Sequence, residues 1–143
     1  ARLESLRSSY GKVLGLAGSE YTILISIAHL QEIDTVGVSR VSNHLMLTGA
    51  FVTSEVNKLV EKGYVDKAVN PKDKRRVLLT VTKSGRNLLT TLAPVQQQVN
   101  NVHFGSISRK EFEVLHKLFP EMAKTTEEAL SLLSHLSRSI KKN

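Results

Sequence analysis

Basic side chains cluster in one part of this 143-residue chain, between residues 48 and 86. That segment carries nine Lys and Arg against four Asp and Glu, whereas residues 1–47 carry four of each and residues 87–143 carry seven against five. A local basic patch attracts phosphate oxygens, so this distribution is typical of a surface that contacts a polyanion such as DNA. On charge alone, a solvated basic face that only aids solubility is the alternative.

Two groups of side chains in this segment have the chemistry to contact a DNA duplex. The first group shares one side of a predicted helix and consists of Thr53, Ser54, Asn57 and Lys58. Asparagine can pair with adenine, hydroxyls with either base type, and lysine with guanine or phosphate. The second group lies at a predicted turn and consists of Lys72, Lys74, Arg75 and Arg76. For the first group, a solvated helix face is the alternative.

Three further residues are expected to support these groups. Asp73 lies among the basic residues of the turn, where we predict that it pairs with an arginine and fixes the tip. Ser39 and Thr48 lie near predicted helix N-termini. Because helix N-termini bind anions, we predict that both residues contact phosphate.

The first group requires a helix-turn-helix. Apolar residues at helical spacing predict helices over 38–46 and 50–62, joined by a tight turn. Thr48 is the expected N-cap of the second helix, and Gly63 is the expected residue just beyond its end. Structural helix bundles also produce this pattern, so the segment that follows it carries weight.

A β-hairpin is predicted directly after the second helix. Residues 64–69 and 76–81 favour strands, and residues 70–74 contain the Asn-Pro and Asp typical of a turn. Val36, ahead of the helix pair, is expected to touch this small sheet. A basic-tipped hairpin after a helix-turn-helix is the winged-helix arrangement.

Four more helices complete the prediction. They are expected at 2–14, at 20–31 with Ser19 as N-cap, at 83–102 after a Thr82 cap, and from a Ser108–Glu111 capping box to the chain end. The helix at 20–31 is apolar almost all round and should be buried on most sides. Pro94 should kink or split its helix, and Pro120 predicts a bend, because proline lacks an amide donor.

An apolar stripe runs to the end of the last helix. Leu130, Leu133, Leu136 and Ile140 follow each other at spacings of three and four residues. No later element can cover this stripe, and an uncovered stripe usually contacts a partner. Together with the first helix, it predicts a homodimer built from both termini.

Several classes of protein are disfavoured by the composition. The chain has no cysteine, which excludes disulfides, thiolate metal sites and thiol redox chemistry. Its five histidines show no metal-ligand spacing, and we predict no metal and no cofactor. We find no nucleophile–base pair and no glycine-rich phosphate loop, so we predict no catalytic residues. Charges interrupt every apolar run, and the first ten residues are polar without a signal-peptide pattern.

The basic segment resembles the MarR family of bacterial winged-helix transcriptional regulators. These proteins carry Asp-x-Arg-x-x-x-(Leu or Val)-x-(aliphatic)-Thr followed by Lys-x-Gly. The pattern stands here as Asp73, Arg75, Leu79, Val81, Thr82 and Lys83-Ser84-Gly85. An upstream block falls where such regulators place their recognition helix, and it consists of Val52-Thr53, Val56, Lys58-Leu59 and Lys62-Gly63.

The predicted recognition helix departs from the family at three positions. Family members often have Ser or Thr where this chain has Ala50 and Phe51, and Arg where it has Ser54. The helix is therefore poor in base-reading arginine. The resemblance implies the mode of DNA binding but not the operator sequence.

The resemblance implies a mainly α fold with a small β wing. A winged helix-turn-helix lobe would span 19–86, and dimerisation helices would span 1–18 and 87–143, within a single domain over 1–143. The implied function is that of a dimeric, sequence-specific DNA-binding regulator in the cytoplasm of a bacterium or archaeon. Its operator would be pseudo-palindromic, and an arginine of the wing, for which we favour Arg75, would enter the minor groove.

The resemblance also implies a repressor that a small, commonly aromatic acid releases from DNA. Tyr10, Tyr21 and His29 could line the crevice for such a ligand, although plain packing explains each of them as well. Two alternatives are a winged-helix module that binds an acidic protein and a regulator that needs no effector.

Overall fold

The computed structural model describes residues 2–71 and 73–140, without the side chains at 2, 3, 75, 127, 139 and 140. The predicted roles of Lys72 and of the Arg75 and Ile140 side chains therefore lie outside the described residues. The elements are α1 (Arg2–Val13), α2 (Gly18–Gln31), α3 (Val38–Leu45), α4 (Gly49–Glu61), β1 (Val65–Asn70), β2 (Asp73–Val81), α5 (Lys83–Phe104) and α6 (Arg109–Ile140). They confirm the mainly α fold with a small β wing. The chain forms two compact units, residues 1–98 and 99–143.

Helix α2 forms the centre of the first unit. Its apolar surface is continuous around the helix, and Ile23, Leu24 and Ile27 have no exposed area. Helix α4 and strand β2 both pack against it. The residues that these two elements bury are Val52, Val56, Leu59, Leu79 and Val81. Helix α4 of the helix-turn-helix and strand β2 of the wing are therefore both packed on α2.

The N-terminus of α2 corrects the prediction that Ser19 is its cap. The helix begins at Gly18 with Ala17 in the N-cap position. Glu20 Oε2 accepts a hydrogen bond from the Ala17 amide at 2.7 Å. Because the carboxylate satisfies this amide, the Ser19 hydroxyl is available to donate to Glu55 instead.

The hairpin is longer than predicted. Strands β1 and β2 pair antiparallel from Val65↔Val81 to Val69↔Val77, and a register shift then pairs Asn70 with Asp73. Strand β2 thus begins three residues earlier than expected, because Asp73 pairs with Asn70 and residues 74–76 lie within the strand at the register shift. Val36 bridges to Leu79, whose amide donates to the Val36 carbonyl at 2.8 Å, and this confirms its predicted contact.

Helix α5 begins after its predicted cap Thr82, which also contacts Gly63, the residue predicted to follow the end of α4. The Thr82 hydroxyl accepts from the Gly85 amide at 3.0 Å, as a cap should, and donates to the Gly63 carbonyl at 2.7 Å. Helix α5 is continuous through Pro94, so the prediction of a split is wrong. Proline removes one backbone donor, and the turns on either side, one of which buries Leu92, keep the helix whole.

The second unit contains the end of α5 and all of α6. The predicted capping box is confirmed: the Ser108 amide donates to Glu111 Oε2 at 2.7 Å, and the Glu111 amide donates to Ser108 Oγ at 3.3 Å. The Phe104 and Phe112 rings meet edge to face with centroids 6.0 Å apart. Helix α6 runs through Pro120 without interruption.

Candidate nucleic-acid interface

The connection between α3 and α4 is a tight turn with defined hydrogen bonds. Met46 adopts the left-handed conformation, with φ 55°, and the Leu47 amide donates to the Ser42 carbonyl at 3.0 Å. Thr48 caps α4 by accepting from the Phe51 amide at 3.3 Å. This confirms the predicted cap. The turn fixes the direction of α4 relative to α3.

Helix α4 has one buried side and one exposed side. Ser54, Asn57 and Lys58 are exposed on the outer side, as the sequence predicts. Thr53 is half-buried, and its hydroxyl donates to the Gly49 carbonyl at 2.8 Å. The structure therefore presents Ser54, Asn57 and Lys58 together, with Thr53 turned towards its own backbone.

Lys58 is held by a carboxylate that the sequence analysis missed. Glu55, only 3% exposed, forms an ion pair with Lys58 and accepts from Ser19 Oγ at 2.6 Å. Burial raises the pKa of Glu55, but the bonds from Lys58 and Ser19 outweigh it, so the net pKa lies below the usual value. The same bond raises the pKa of Lys58.

A second buried carboxylate holds the end of α4. Glu20 is 3% exposed, and its two oxygens accept from Lys62 Nζ at 2.7 and 2.8 Å. Lys62 lies next to Gly63, which has φ +74° and ends the helix as predicted. This ion pair fastens the C-terminus of α4 to the N-terminus of α2.

A hydrogen bond connects helix α4 directly to the wing. Lys67 of β1 donates from Nζ to Asn57 Oδ1 of α4. Because the oxygen of the exposed Asn57 amide accepts this hydrogen bond, the nitrogen of that amide can offer two N–H donors to an external acceptor. No sequence signal marks this pair, since it depends on how β1 returns along α4.

The described basic side chains of the wing tip, Lys74 and Arg76, are exposed to solvent. Arg76 Nε lies 3.2 Å from Asp73 Oδ2, and the Arg76 side chain is 78% exposed. Asp73 thus pairs with Arg76, the arginine that we did not favour for the minor groove. Lys74 is exposed.

A groove joins the wing to the start of α3. Its volume is about 630 Å³, and Ser39, Arg40, Asn43 and Arg76 are among its lining residues. Ser39 and Arg76, both predicted to contact DNA, therefore lie at one groove although they belong to different elements. Arg40, which was not among the predicted DNA contacts, also lines this groove and donates to the Thr35 carbonyl at 2.9 Å.

The three suggested ligand-pocket residues differ in their surroundings. Tyr10 and Tyr21 are buried with ring centroids 6.0 Å apart, and Tyr21 Oη accepts from Gln96 Nε2 at 3.1 Å. Burial raises the pKa of Tyr21. His29 is exposed, with its ring centroid 6.3 Å from that of His44. The tyrosines pack the core, and His29 lies outside it.

Two structural features bear on other classes of protein. Across residues 2–71 and 73–140, no three His, Asp or Glu side chains form a group that could hold a metal ion. In the same part of the chain, no single helix is long and apolar enough to cross a membrane. Helices α1 and α2 meet that test only as a pair bent by 89°.

The elements and exposed side chains described above define the chain as a winged helix-turn-helix protein of the DNA-binding type. Residues 5–92 match the family described as "Transcriptional regulator SarA/Rot". The chain belongs to this SarA/Rot family, which confirms the resemblance to MarR regulators. It is a transcriptional regulator and not an enzyme.

Known proteins agree with this assignment. The chain is 26% identical over 112 residues to the HTH-type transcriptional regulator YdcH of Bacillus subtilis, and this aligned region covers 76% of each chain. The MarR protein from Peptoclostridium difficile superposes with a TM-score of 0.75 and 26% identity, over 90% of this chain and 82% of that one. A MarR variant from E. coli complexed with operator DNA has a TM-score of 0.69 and 22% identity, over 83% and 84%.

Proposed function

We propose that the protein binds a pseudo-palindromic DNA duplex as a homodimer, with α4 in the major groove and the wing against the flanking backbone. The observation that carries this proposal is the exposed polar face of α4, which a hydrogen bond to β1 connects to the cationic wing. The E. coli MarR variant with the same fold is complexed with operator DNA. In a two-fold dimer, the two α4 helices would read half-sites about 34–36 Å apart.

The second unit supports the homodimer. Helix α6 exposes large apolar side chains along its length, namely Phe112, Leu118, Phe119, Met122, Leu130, Leu133 and Leu136. A monomer rarely exposes so long an apolar surface, and a second copy of α6 would cover it. Sedimentation should give a dimer at micromolar concentration. Leu133→Asp should dissociate it, whereas Ile33→Asp, at an exposed position just after α2 and outside the predicted dimerisation helices, should not.

Selection from a randomised duplex library tests the DNA proposal. The full chain should enrich a pseudo-palindrome and bind it far more tightly than random duplex at the same salt concentration. If the chain binds random duplex as tightly as the selected duplex and also binds an acidic protein, the proposal is contradicted. The winged-helix module that binds an acidic protein is then favoured.

We further propose that the regulator represses transcription in the bacterial cytoplasm and that a small aromatic acid releases it from DNA. The support for this step is the family resemblance. A panel of benzoic and phenolic acids should displace the selected duplex. If every member leaves binding unchanged, the effector-independent regulator is the better description.

A further inference from the structure

An apolar surface surrounds the N-terminal end of α4. Phe51, in the first turn, is 43% exposed, and Met46 and Leu47 in the preceding turn are 63% and 38% exposed. Ala50 is exposed as well. Phe51 is the one aromatic residue of α4. Its side chain is therefore partly accessible at the N-terminal end of the helix.

Phe51 lies in the same row as two exposed polar residues of α4. Residues 51, 54 and 58 are separated by three and seven positions, so their side chains share one face of the helix. Ser54 and Lys58 are both exposed on that face. Recognition helices contact base edges mainly through their N-terminal residues, and Phe51 occupies that end.

The backbone at Phe51 is fixed by the cap. The Phe51 amide donates to the Thr48 hydroxyl, and the Val52 amide donates to the Thr48 carbonyl at 3.1 Å. Val52 on the next position has no exposed area. Phe51 therefore projects from a turn that is anchored on both sides.

The major groove offers one apolar group to such a ring, the C5 methyl of thymine. Serine, asparagine and lysine read donors and acceptors, whereas a phenyl ring reads none of them. We propose that Phe51 determines specificity by packing against a thymine methyl at a defined position of each half-site. This inference rests on the proposed entry of α4 into the major groove.

Deoxyuridine substitution tests the contact from the DNA side. Each thymine of the duplex selected by the full chain is replaced in turn by deoxyuridine, which removes the methyl group and keeps every hydrogen bond. At one position per half-site, the wild-type dissociation constant should rise about fourfold, the factor that one buried methyl supplies.

Protein variants complete the cycle. Phe51→Ala should weaken binding to the thymine duplex and abolish the difference between thymine and deoxyuridine at that position. Phe51→Leu should keep part of the difference, since it retains an apolar side chain. Val13→Ala, which shortens an exposed side chain of α1, should leave the difference unchanged.

The outcomes separate this inference from the proposed function. If the selected duplex binds tightly but no deoxyuridine changes affinity, or Phe51→Ala keeps the wild-type difference, the thymine contact is wrong and the DNA-binding proposal stands. If the chain enriches no duplex, both fail. A deoxyuridine effect that Phe51→Ala alone removes supports the contact.

Discussion

Helix α4 and the wing use their cations in different ways. Lys58 of α4 and Lys62, the residue just beyond its end, are each paired with a carboxylate that is 3% exposed. In the wing, Arg76 pairs with Asp73, and these two side chains are 78% and 43% exposed. Lys58 and Lys62 therefore neutralise buried carboxylates and contribute to the fold, whereas Arg76 neutralises a carboxylate that is itself partly exposed.

This difference suggests a division of labour in DNA binding. A buried carboxylate cancels part of the electric field of the lysine that is paired with it. Exposed wing cations can displace counterions from phosphate. The wing should therefore provide more of the affinity, and the outer face of α4 more of the discrimination. The following experiments test this division, beginning with the largest expected effect.

The junction between the two regions should be the most sensitive position. A Cβ at position 85 would overlap the carbonyl oxygen of Tyr64 and lie 2.8 Å from Val81 Cγ1. Since a backbone carbonyl cannot rotate away, Gly85→Ala should lower the free energy of unfolding by about 3 kcal/mol. Urea denaturation measures this loss. Gly49→Ala is the matched control, because a Cβ there meets nothing within 4 Å; equal midpoints for the two variants would contradict the steric reading.

Removing the buried carboxylate at α2 should come next. Glu20→Ala deletes the partner of Lys62 and of the Ala17 amide, so we expect a loss of about 2 kcal/mol in unfolding free energy. Asp73→Ala removes an exposed pair and should cost less than about 0.5 kcal/mol. Thermal and urea unfolding of both variants compare the two regions directly. A larger loss for Asp73→Ala would reverse the comparison.

The salt dependence of DNA binding separates the two regions functionally. Neutralising Lys74 and Arg76 to Gln should reduce the slope of log K against log salt by about two, and Lys58→Gln by less than about one. Titrations of the selected duplex between about 50 and 200 mM salt measure these slopes. Lys12→Gln in α1 serves as a charge-matched control and should leave the slope unchanged. If Lys58→Gln flattens the slope as much as the wing double variant, the α4 lysine is not held back by its carboxylate.

Local signals made much of this fold predictable. Thr48, Gly63, Thr82 and Ser108 each act on neighbouring backbone groups, and the structure uses all four as expected. The limits of the helix-turn-helix followed from these signals and from the apolar periodicity. Pro94 does not split its helix because a single missing donor is a local cost, which the rest of a long helix can outweigh.

Pairs between distant residues could not be predicted. Glu55 reaches Ser19 and Glu20 reaches Lys62 across 36 and 42 positions, so only the packing of α2 on α4 brings them together. One signal for Glu55 was nevertheless present. It falls between Val52, Val56 and Leu59 on the inward side of the helix, where an unpaired carboxylate would be costly. A charged residue in an apolar stripe indicates a buried partner.

Acid should reveal the role of Glu55 through a smaller effect on stability. Its pKa is lower in the folded chain than the ordinary 4.5. The unfolded state therefore binds the proton more readily, so the stability that ionised Glu55 contributes is complete above about pH 4.5 and is lost as the pH falls through the folded pKa.

Glu55→Gln should accordingly show a shallower loss of unfolding free energy in this acid range, although it is less stable than wild type at neutral pH. Ser19→Ala, which removes one of the bonds that lower the pKa, should change the acid profile in the same direction by a smaller amount. Urea unfolding at a series of pH values measures both profiles. If the wild-type and Glu55→Gln curves stay parallel on acidification, Glu55 is not the carboxylate that anchors α4, and the contrast with the exposed wing loses its main support.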